Sequence, residues 1–258
     1  MTDLVHLKLR GPIAELILNN AKRLNALNLE MWEAIPGLFE QIAKAPHICA
    51  VIMHGGEIGH FAAGADISEF APVWATPKGA DRAAKALYAA TTAIETCTRP
   101  VIAAIEGSCM GAGLSLASAC DLRVVADGAR FSLPPAKLGA AYPYEDLRRL
   151  ADIIGLAPTR DLLLTARMIE ADEAGDLSLA SRRVAQGAAY QTALEIANTM
   201  TELSPWALTT GKAMLSAIGR GQRTETPEAR AKQIEGFLGP DFFEGQSAFL
   251  EKRKADFS

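Results

Sequence analysis

Two uninterrupted apolar runs constrain this chain most: residues 49–54 (CAVIMH) and residues 101–105 (VIAAI), each ending in a glycine-bearing turn that opens into a helix. A continuous apolar run of strand length is the pattern of a strand buried on both faces, because neither face alternates with water. A third strand is predicted from Leu122 to Ala126. Burying both faces of such strands requires helices between them, so the alternation predicts stacked βα units and an α/β fold. Ahead of the first run, residues 4–9 (LVHLKL) and 13–18 (IAELIL) read as two short strands around a tight turn at Arg10-Gly11-Pro12. Asn28 is a predicted cap for a helix reaching about Ala43, with Leu29, Trp32, Ile35 and Phe39 at helical spacing. An alanine-rich helix is predicted over 78–97, ended by Pro100, and a shorter one over 114–119.

After about residue 155 the pattern turns helical, over 158–166, 170–175, 187–203, 205–217, 226–237 and 241–253. The expected organisation is a core over residues 1–195 and a helical region over 196–258 that covers the core or a neighbouring subunit.

Composition excludes several function classes. A chain of 258 residues, 49% hydrophobic and 22% charged, is ordinary globular material. At that length roughly 70–75% of the unfolded surface is buried on folding, so no metal or disulfide staple is needed. With 26 basic against 30 acidic residues the net charge is −4, which argues against a nucleic-acid partner. Cys49, Cys97, Cys109 and Cys120 form no CxxC pair and have no His at metal-ligand spacing, so they read as reduced thiols with no metal site. The stretch Val101–Ala126 is interrupted by Glu106, Asp121, Arg123 and glycines, so no membrane span is expected. The N-terminal MTDLVHLKLRG carries charges within a strand-like alternation and does not read as a signal peptide. The expectation is a soluble, cytoplasmic protein.

The candidate chemistry lies in two turns, Phe61-Ala62-Ala63-Gly64-Ala65-Asp66-Ile67 and Gly107-Ser108-Cys109-Met110-Gly111-Ala112-Gly113-Leu114. Each follows a buried strand and precedes a helix. Small residues let a ligand approach the backbone, and the first N–H groups of a helix are unpaired donors in a positive field. Two such donors converging on one point bind a developing oxyanion. Taken singly, each turn reads equally well as a tight strand-to-helix connection. A nucleotide-binding loop competes, but neither segment reads GxGxxG or GxxxxGK[ST].

These segments resemble a known family. FAAGADI resembles the first oxyanion-hole loop of the crotonase (enoyl-CoA hydratase/isomerase) superfamily, and RPVIAAIEGSCMGAGLSLASACDLRVVAD its second loop and following strand. Arg23-Leu24-Asn25-Ala26-Leu27 resembles the CoA-binding turn, and EGQSAFLEKRKADF the C-terminal helix. The resemblance implies a crotonase-like ββα spiral core with a helical C-terminal region and an acyl-CoA ligand. It also implies no metal and no cofactor beyond the CoA moiety, and a homotrimer or dimer of trimers. It places the oxyanion donors at the N–H groups of Ala65 and Ala112, where the family commonly has Gly at the second position. It gives Arg23 to a CoA phosphate, the backbone near Leu24, Ala26 and Ala63 to the adenine, and Lys252 to a phosphate, possibly reached from a neighbouring subunit. On the residues alone, Arg23 is a solvated turn residue and Lys252 part of a basic helix end.

The sequence departs from the family where hydratases carry two catalytic glutamates: Ser115 and Pro135 stand there. Two-glutamate hydration is therefore not expected, whereas enolate chemistry is. Tyr142 resembles by position an active-site Tyr of methylmalonyl-CoA decarboxylase, although that enzyme has His where this chain has Ala65. A decarboxylase-like or isomerase-like lyase is the expected reaction, with Tyr142 or water supplying a proton. A specialised hydratase/isomerase using Glu145, or a non-catalytic acyl-CoA-binding homologue, are the alternatives. Asp146 reads as helix N-terminal charge, Asp66 as a cap or ion-pair partner, and His60 as a solvent-exposed turn residue. Residues 68–80, with Phe70 and Trp74, are expected to line or lid the acyl pocket.

Overall fold

The structure, a computed structural model, describes residues 3–257; Met1, Thr2 and Ser258, the first two belonging to the N-terminal segment read above, lie outside the described residues. Strand β1 (Val5–Arg10) turns at Gly11, whose φ of +55° suits glycine, and pairs antiparallel with β2 (Ile13–Leu18). Helix α1 (Leu29–Ala43) follows, with the Asn28 side chain accepting the Met31 N–H as its cap. Strand β3 (Ala50–His54) leads into the first glycine loop. Helices α2 (Phe70–Trp74) and α3 (Pro77–Glu95) come next, then β4 (Val101–Ile105), β5 (Ser108–Met110) and α4 (Ala112–Ala119).

Strands β6 (Leu122–Ala126) and β7 (Arg130–Ser132) precede α5 (Tyr144–Ile154) and α6 (Leu156–Thr165). Then follow β8 (Met168–Glu170), α7 (Ala171–Asp176), β9 (Arg182–Val184) and α8 (Ala189–Thr201). Helices α9 (Pro205–Gly219), α10 (Pro227–Leu238) and α11 (Pro240–Glu251) close the chain.

The main sheet runs β1-β2-β3-β4-β6-β9, parallel from β2 onward, and a smaller sheet runs β5-β7-β8. The two faces of the main sheet explain the apolar runs. Val51 and Met53 pack with Val101, Ala103 and Ile105 beneath α1 and α3, while Ala50, Ile52, Ile102, Ala104 and Val124 face the other way. That second face is covered by α8 through Ala189, Ala193 and Ala197, a small-residue stripe at i, i+4, i+8 that lets the helix lie close to the strands. The division drawn at 195/196 is therefore corrected: it cuts α8, which belongs to the sheet, and the outlying helices begin at α9.

Candidate active site

The first loop is stitched into place by its own backbone. Ala62 donates to the Ser108 carbonyl at 2.9 Å and accepts from Met110 N–H at 3.0 Å, so it bridges to β5. Ala63 donates to the Leu24 carbonyl, Leu27 to the Gly64 carbonyl, and Asp66 to the Leu27 carbonyl. The N–H of Ala65, between these pairs, has no acceptor among the described residues. Gly64 sits at φ +119°, with its α-carbon turned toward the Met110 carbonyl; a side chain here would be strained.

The second loop brings a helix N-terminus against the first. Gly111 adopts φ 44° and ψ −109°, donates to the Ser132 carbonyl at 2.9 Å and caps α4. Ala112 is the first residue of that helix, where an N–H has no intrahelical partner, and it too finds no acceptor among the described residues. Its methyl is tolerated because the residue is helical. Contact between the loops is tight at Gly113, where an added β-carbon would lie 2.7 Å from the Ala62 carbonyl oxygen. Two free N–H groups thus flank one junction, and the dipole of α4 adds a positive field there.

Two residues that the sequence reading passed over or discounted hold this junction. Asn25, fully buried at φ 57°, donates from Nδ2 to the carbonyls of Gly55 (2.9 Å) and His60 (3.0 Å). His60 is not the solvent-exposed turn residue expected: it is half-buried, and its Nδ1 accepts the Ser108 N–H at 3.1 Å, tying the first loop to the second. Asp66 caps the 3₁₀ turn over Ile67–Glu69 through Ser68 N–H and lies 3.8 Å from Arg23.

Neither Ser115 nor Pro135 brings a carboxylate, and Ser115 pairs instead with a second hydroxyl. Ser115 stands in the first turn of α4 with its N–H on the Gly111 carbonyl, and its Oγ lies 2.7 Å from Tyr142 Oη. Tyr142 in turn donates to the Gly111 carbonyl at 2.8 Å, the same carbonyl that accepts the Ser115 N–H. The Tyr142 side chain is only partly exposed, and burial of its hydroxyl, helped by the nearby Asp146 charge, pushes its pKa well above the usual phenol value against the Ser115 hydrogen bond. Pro135 begins a 3₁₀ turn and brings no titratable group.

Glu145 and Asp146 occupy the first turn of α5 but face opposite ways. Glu145 accepts from Arg148 Nε at 2.8 Å, in a network with Glu95 and Asp152. Nothing in the structure turns it toward Ser115. Asp146 is 1% exposed, and its Oδ1 accepts from Arg149 at 2.8 Å. Burial raises its pKa, with the Ser115 hydroxyl and Arg149 acting in the opposite direction. Asp146 Oδ2 is buried and makes no hydrogen bond among the described residues.

The turn Arg23–Leu27 and the first loop form one backbone surface through the bonds given above. Leu24 and Asn25 take left-handed angles, and the Leu24 and Arg23 side chains project into solvent. Ala26 donates to the Arg23 carbonyl. Lys252 is the exposed left-handed cap of α11 and makes no ion pair among the described residues. The structure does not bring it into contact with the turn. Phe70 and Trp74 on α2 meet at a tilt of 52° with ring centroids 5.8 Å apart, and Trp74 is 41% exposed. Among the described residues no group of three or more His, Cys, Asp or Glu could hold a metal, and no helix is long and apolar enough to cross a membrane.

The fold sets two loops with unpaired N–H groups at the edge of a largely parallel α/β sheet, and comparison with known proteins gives the family. Residues 9–258 match the family model for enoyl-CoA hydratase/isomerase, and the chain belongs to that family. It is 32% identical over 256 residues to a short-chain-enoyl-CoA hydratase of Clostridium acetobutylicum, covering 98% of this chain and 96% of the relative. It is also 32% identical to a peroxisomal Delta(3,5)-Delta(2,4)-dienoyl-CoA isomerase of Arabidopsis thaliana, covering 95% and 92%. A crystal structure of an enoyl-CoA hydratase/isomerase family protein from Hyphomonas neptunium superposes with a TM-score of 0.96 at 44% identity, over 99% of this chain and 97% of that one.

Proposed function

We propose that this protein binds an acyl-CoA thioester with its carbonyl oxygen between the N–H groups of Ala65 and Ala112, and works through the enolate that these donors stabilise. The observation that carries this reading is the pair of N–H groups without acceptors, presented by separate loops held together at Ala62 and Gly113. Charge that develops on the thioester oxygen meets donors already oriented, so little reorganisation is needed. Arg23 reaches a CoA phosphate, the backbone of Leu24, Ala26 and Ala63 receives the adenine, and Lys252 contributes from a neighbouring copy. The chemistry needs no cofactor beyond CoA.

The reaction is isomerase-like or decarboxylase-like rather than two-glutamate hydration. The Ser115–Tyr142 hydroxyl pair supports this: a hydroxyl can pass a proton to or from an enolate, and burial keeps that of Tyr142 protonated, but hydroxyls do not activate water as two carboxylates do. In isomerisation a proton leaves one carbon and returns to another. In decarboxylation CO₂ departs, its bonding electron pair becomes the enolate, and a proton then reaches the α-carbon.

The test is to incubate the protein in D₂O with short, branched, aromatic and malonyl-type acyl-CoAs and follow α-carbon exchange, double-bond movement and CO₂ release. Exchange, with one of the other two signals on a matching substrate, is the expected result. Hydration of crotonyl-CoA at rates typical of hydratases overturns the assigned reaction. Binding of every thioester without exchange or turnover makes the protein an acyl-CoA-binding homologue without catalysis.

A further inference from the structure

We propose that His60 is a positioning residue: its neutral imidazole holds the two donor loops in register, and a proton taken up by the ring uncouples Ala112 from Ala65. This rests on the enolate reading above and adds a titratable control over the alignment of its donors.

Three hydrogen bonds tie residues 108–110 to residues 60–62. Two join backbone groups: Ala62 N–H to the Ser108 carbonyl at 2.9 Å, and Met110 N–H to the Ala62 carbonyl at 3.0 Å. The third runs from the Ser108 N–H to His60 Nδ1 at 3.1 Å. Both polar groups of the Ser108 backbone are thus engaged by the first loop, and one of them by a side chain. Ala112 follows Ser108 by four residues, across β5 and Gly111, so the placement of Ser108 bears directly on the second donor.

Packing holds the ring at this point as well. Gly107, at φ +52°, lies so close that an added β-carbon would stand 2.7 Å from His60 Nδ1 and 3.2 Å from Cε1. The His60 carbonyl accepts from Asn25 Nδ2 at 3.0 Å, and the next residue, the fully buried Phe61, donates its N–H to the Glu106 carbonyl at 2.9 Å. With its own backbone anchored in this way, His60 passes a change at the ring to Ser108.

An Nδ1 that accepts an N–H carries no proton, so the ring proton of the neutral form is on Nε2. Protonation places a donor on Nδ1 facing the Ser108 N–H. Two donors cannot share one hydrogen bond, so the contact turns from attraction to repulsion and β5 is pushed from the first loop. The titratable and charged groups on the elements packed here are His54 at the end of β3, Glu57 in the turn before His60, Glu106 after β4, and Arg130 at the start of β7. His54 Nδ1 accepts the Gly56 N–H, and the Glu106 carboxylate accepts from Gln186 Nε2 and the N–H groups of Gly187 and Ala189. Arg130 meets this turn through its N–H on the Gly107 carbonyl. His60 makes no ion pair among the described residues, so no carboxylate offsets the lost bond. Exchange at the substrate α-carbon therefore falls as pH drops through the titration of His60 and returns when the proton leaves.

The test follows α-carbon exchange in D₂O against pH in the full chain, with CoA affinity beside it. His60→Asn offers Oδ1 one bond beyond Cγ, as Nδ1 is, so it can accept the Ser108 N–H but cannot take up a proton there. It should keep the wild-type plateau and lose the acid limb. His60→Leu offers no acceptor and should exchange roughly tenfold more slowly at every pH, through kcat and with CoA affinity unchanged. A wild-type profile without an acid limb, a limb that persists in His60→Asn, or a His60→Leu protein at the wild-type rate overturns the inference and leaves the enolate reading standing. No exchange by the wild-type protein on any thioester removes both. If either variant does not fold, the Ser108 amide resonance of the wild-type protein decides: a shift with the midpoint of the limb supports the proposal, and an amide that does not respond across the limb overturns it.

Discussion

Gly113→Ala should cost much more activity than stability. Gly113 is the second residue of α4 and has no positive φ, so alanine suits its backbone and gains about 1 kcal/mol of helix propensity at most. The obstacle is Ala62. An added β-carbon would stand 2.7 Å from its carbonyl oxygen and 2.8 Å from its own β-carbon. Ala62 cannot move aside freely, because its N–H and carbonyl are both bonded to β5. Reaching ordinary contact therefore requires the two loops to part by roughly 0.7–1 Å.

Overpacking of this kind costs about 1–3 kcal/mol, so the net loss of stability is up to about 2 kcal/mol, or about 4–8 °C in melting temperature. The same displacement separates Ala65 from Ala112, and a misplacement of about 1 Å lowers rates by roughly 100-fold. The assay is α-carbon exchange in D₂O with a melting curve and CoA affinity beside it. CoA affinity should hold, since Arg23–Leu27 bonds the other side of the first loop. Gly37→Ala, in α1 with nothing within 4 Å of its β-carbon, is the control and should leave exchange unchanged. A folded Gly113→Ala protein with wild-type exchange would falsify the shared-oxyanion argument.

Four further outcomes follow from the structure. Glu145→Gln should leave exchange within about twofold, since this carboxylate is spent on Arg148; a large loss would restore it as a catalyst. Tyr142→Phe removes the hydroxyl between Ser115 and the Gly111 carbonyl, and should lower stability by about 1–3 kcal/mol and exchange by at least about tenfold, read by chemical denaturation and the D₂O assay. Burial weighs on Glu95, but Arg149 and Arg148 outweigh it and depress its pKa. Its contribution to stability is therefore full above the unfolded carboxylate value and lost as pH falls through the folded one. Glu95→Gln should flatten that acid-side decline in a pH series of melts. The exposed apolar side chains of α10 and α11, among them Phe237, Phe243, Phe249 and Leu250, should be covered by further copies of the chain. Light scattering should give a trimer or a multiple of it, and Phe249→Glu should shift it toward monomer; a wild-type monomer refutes the assembly.

The central strands were legible because burial on both faces erases alternation, and Val51/Met53 and Ala50/Ile52 do enter opposite cores. Strands β5, β7, β8 and β9 were not. Each is three residues long, and their pairing is non-local, so no periodicity marks them. The end of the core was misplaced because α8, read alone, is one more amphipathic helix; only its contacts show that Ala193 and Ala197 lie on the sheet. The two glycine-bearing turns were visible because their close contact, as at Gly113 against Ala62, requires small residues. His60 and Asn25 were not, because their work is to bond backbone groups some 30 to 48 residues away.

Asp146 is different, since helical phase carries its signal. Leu150 and Ile154 are buried on α5, and one further step of four toward the N-terminus falls on Asp146, with Arg149 on the same side at i+3. Glu145, one residue earlier, is rotated by about 100° and lands with Arg148 and Asp152 on the wetter side. Reading Asp146 as helix-end charge and holding Glu145 open as a catalyst ignored the face each occupies. A carboxylate in the apolar phase of a helix, three residues from an arginine in the same phase, is either paired or functional. In this chain Oδ1 is paired with Arg149 and Oδ2 is buried without a hydrogen-bond partner among the described residues.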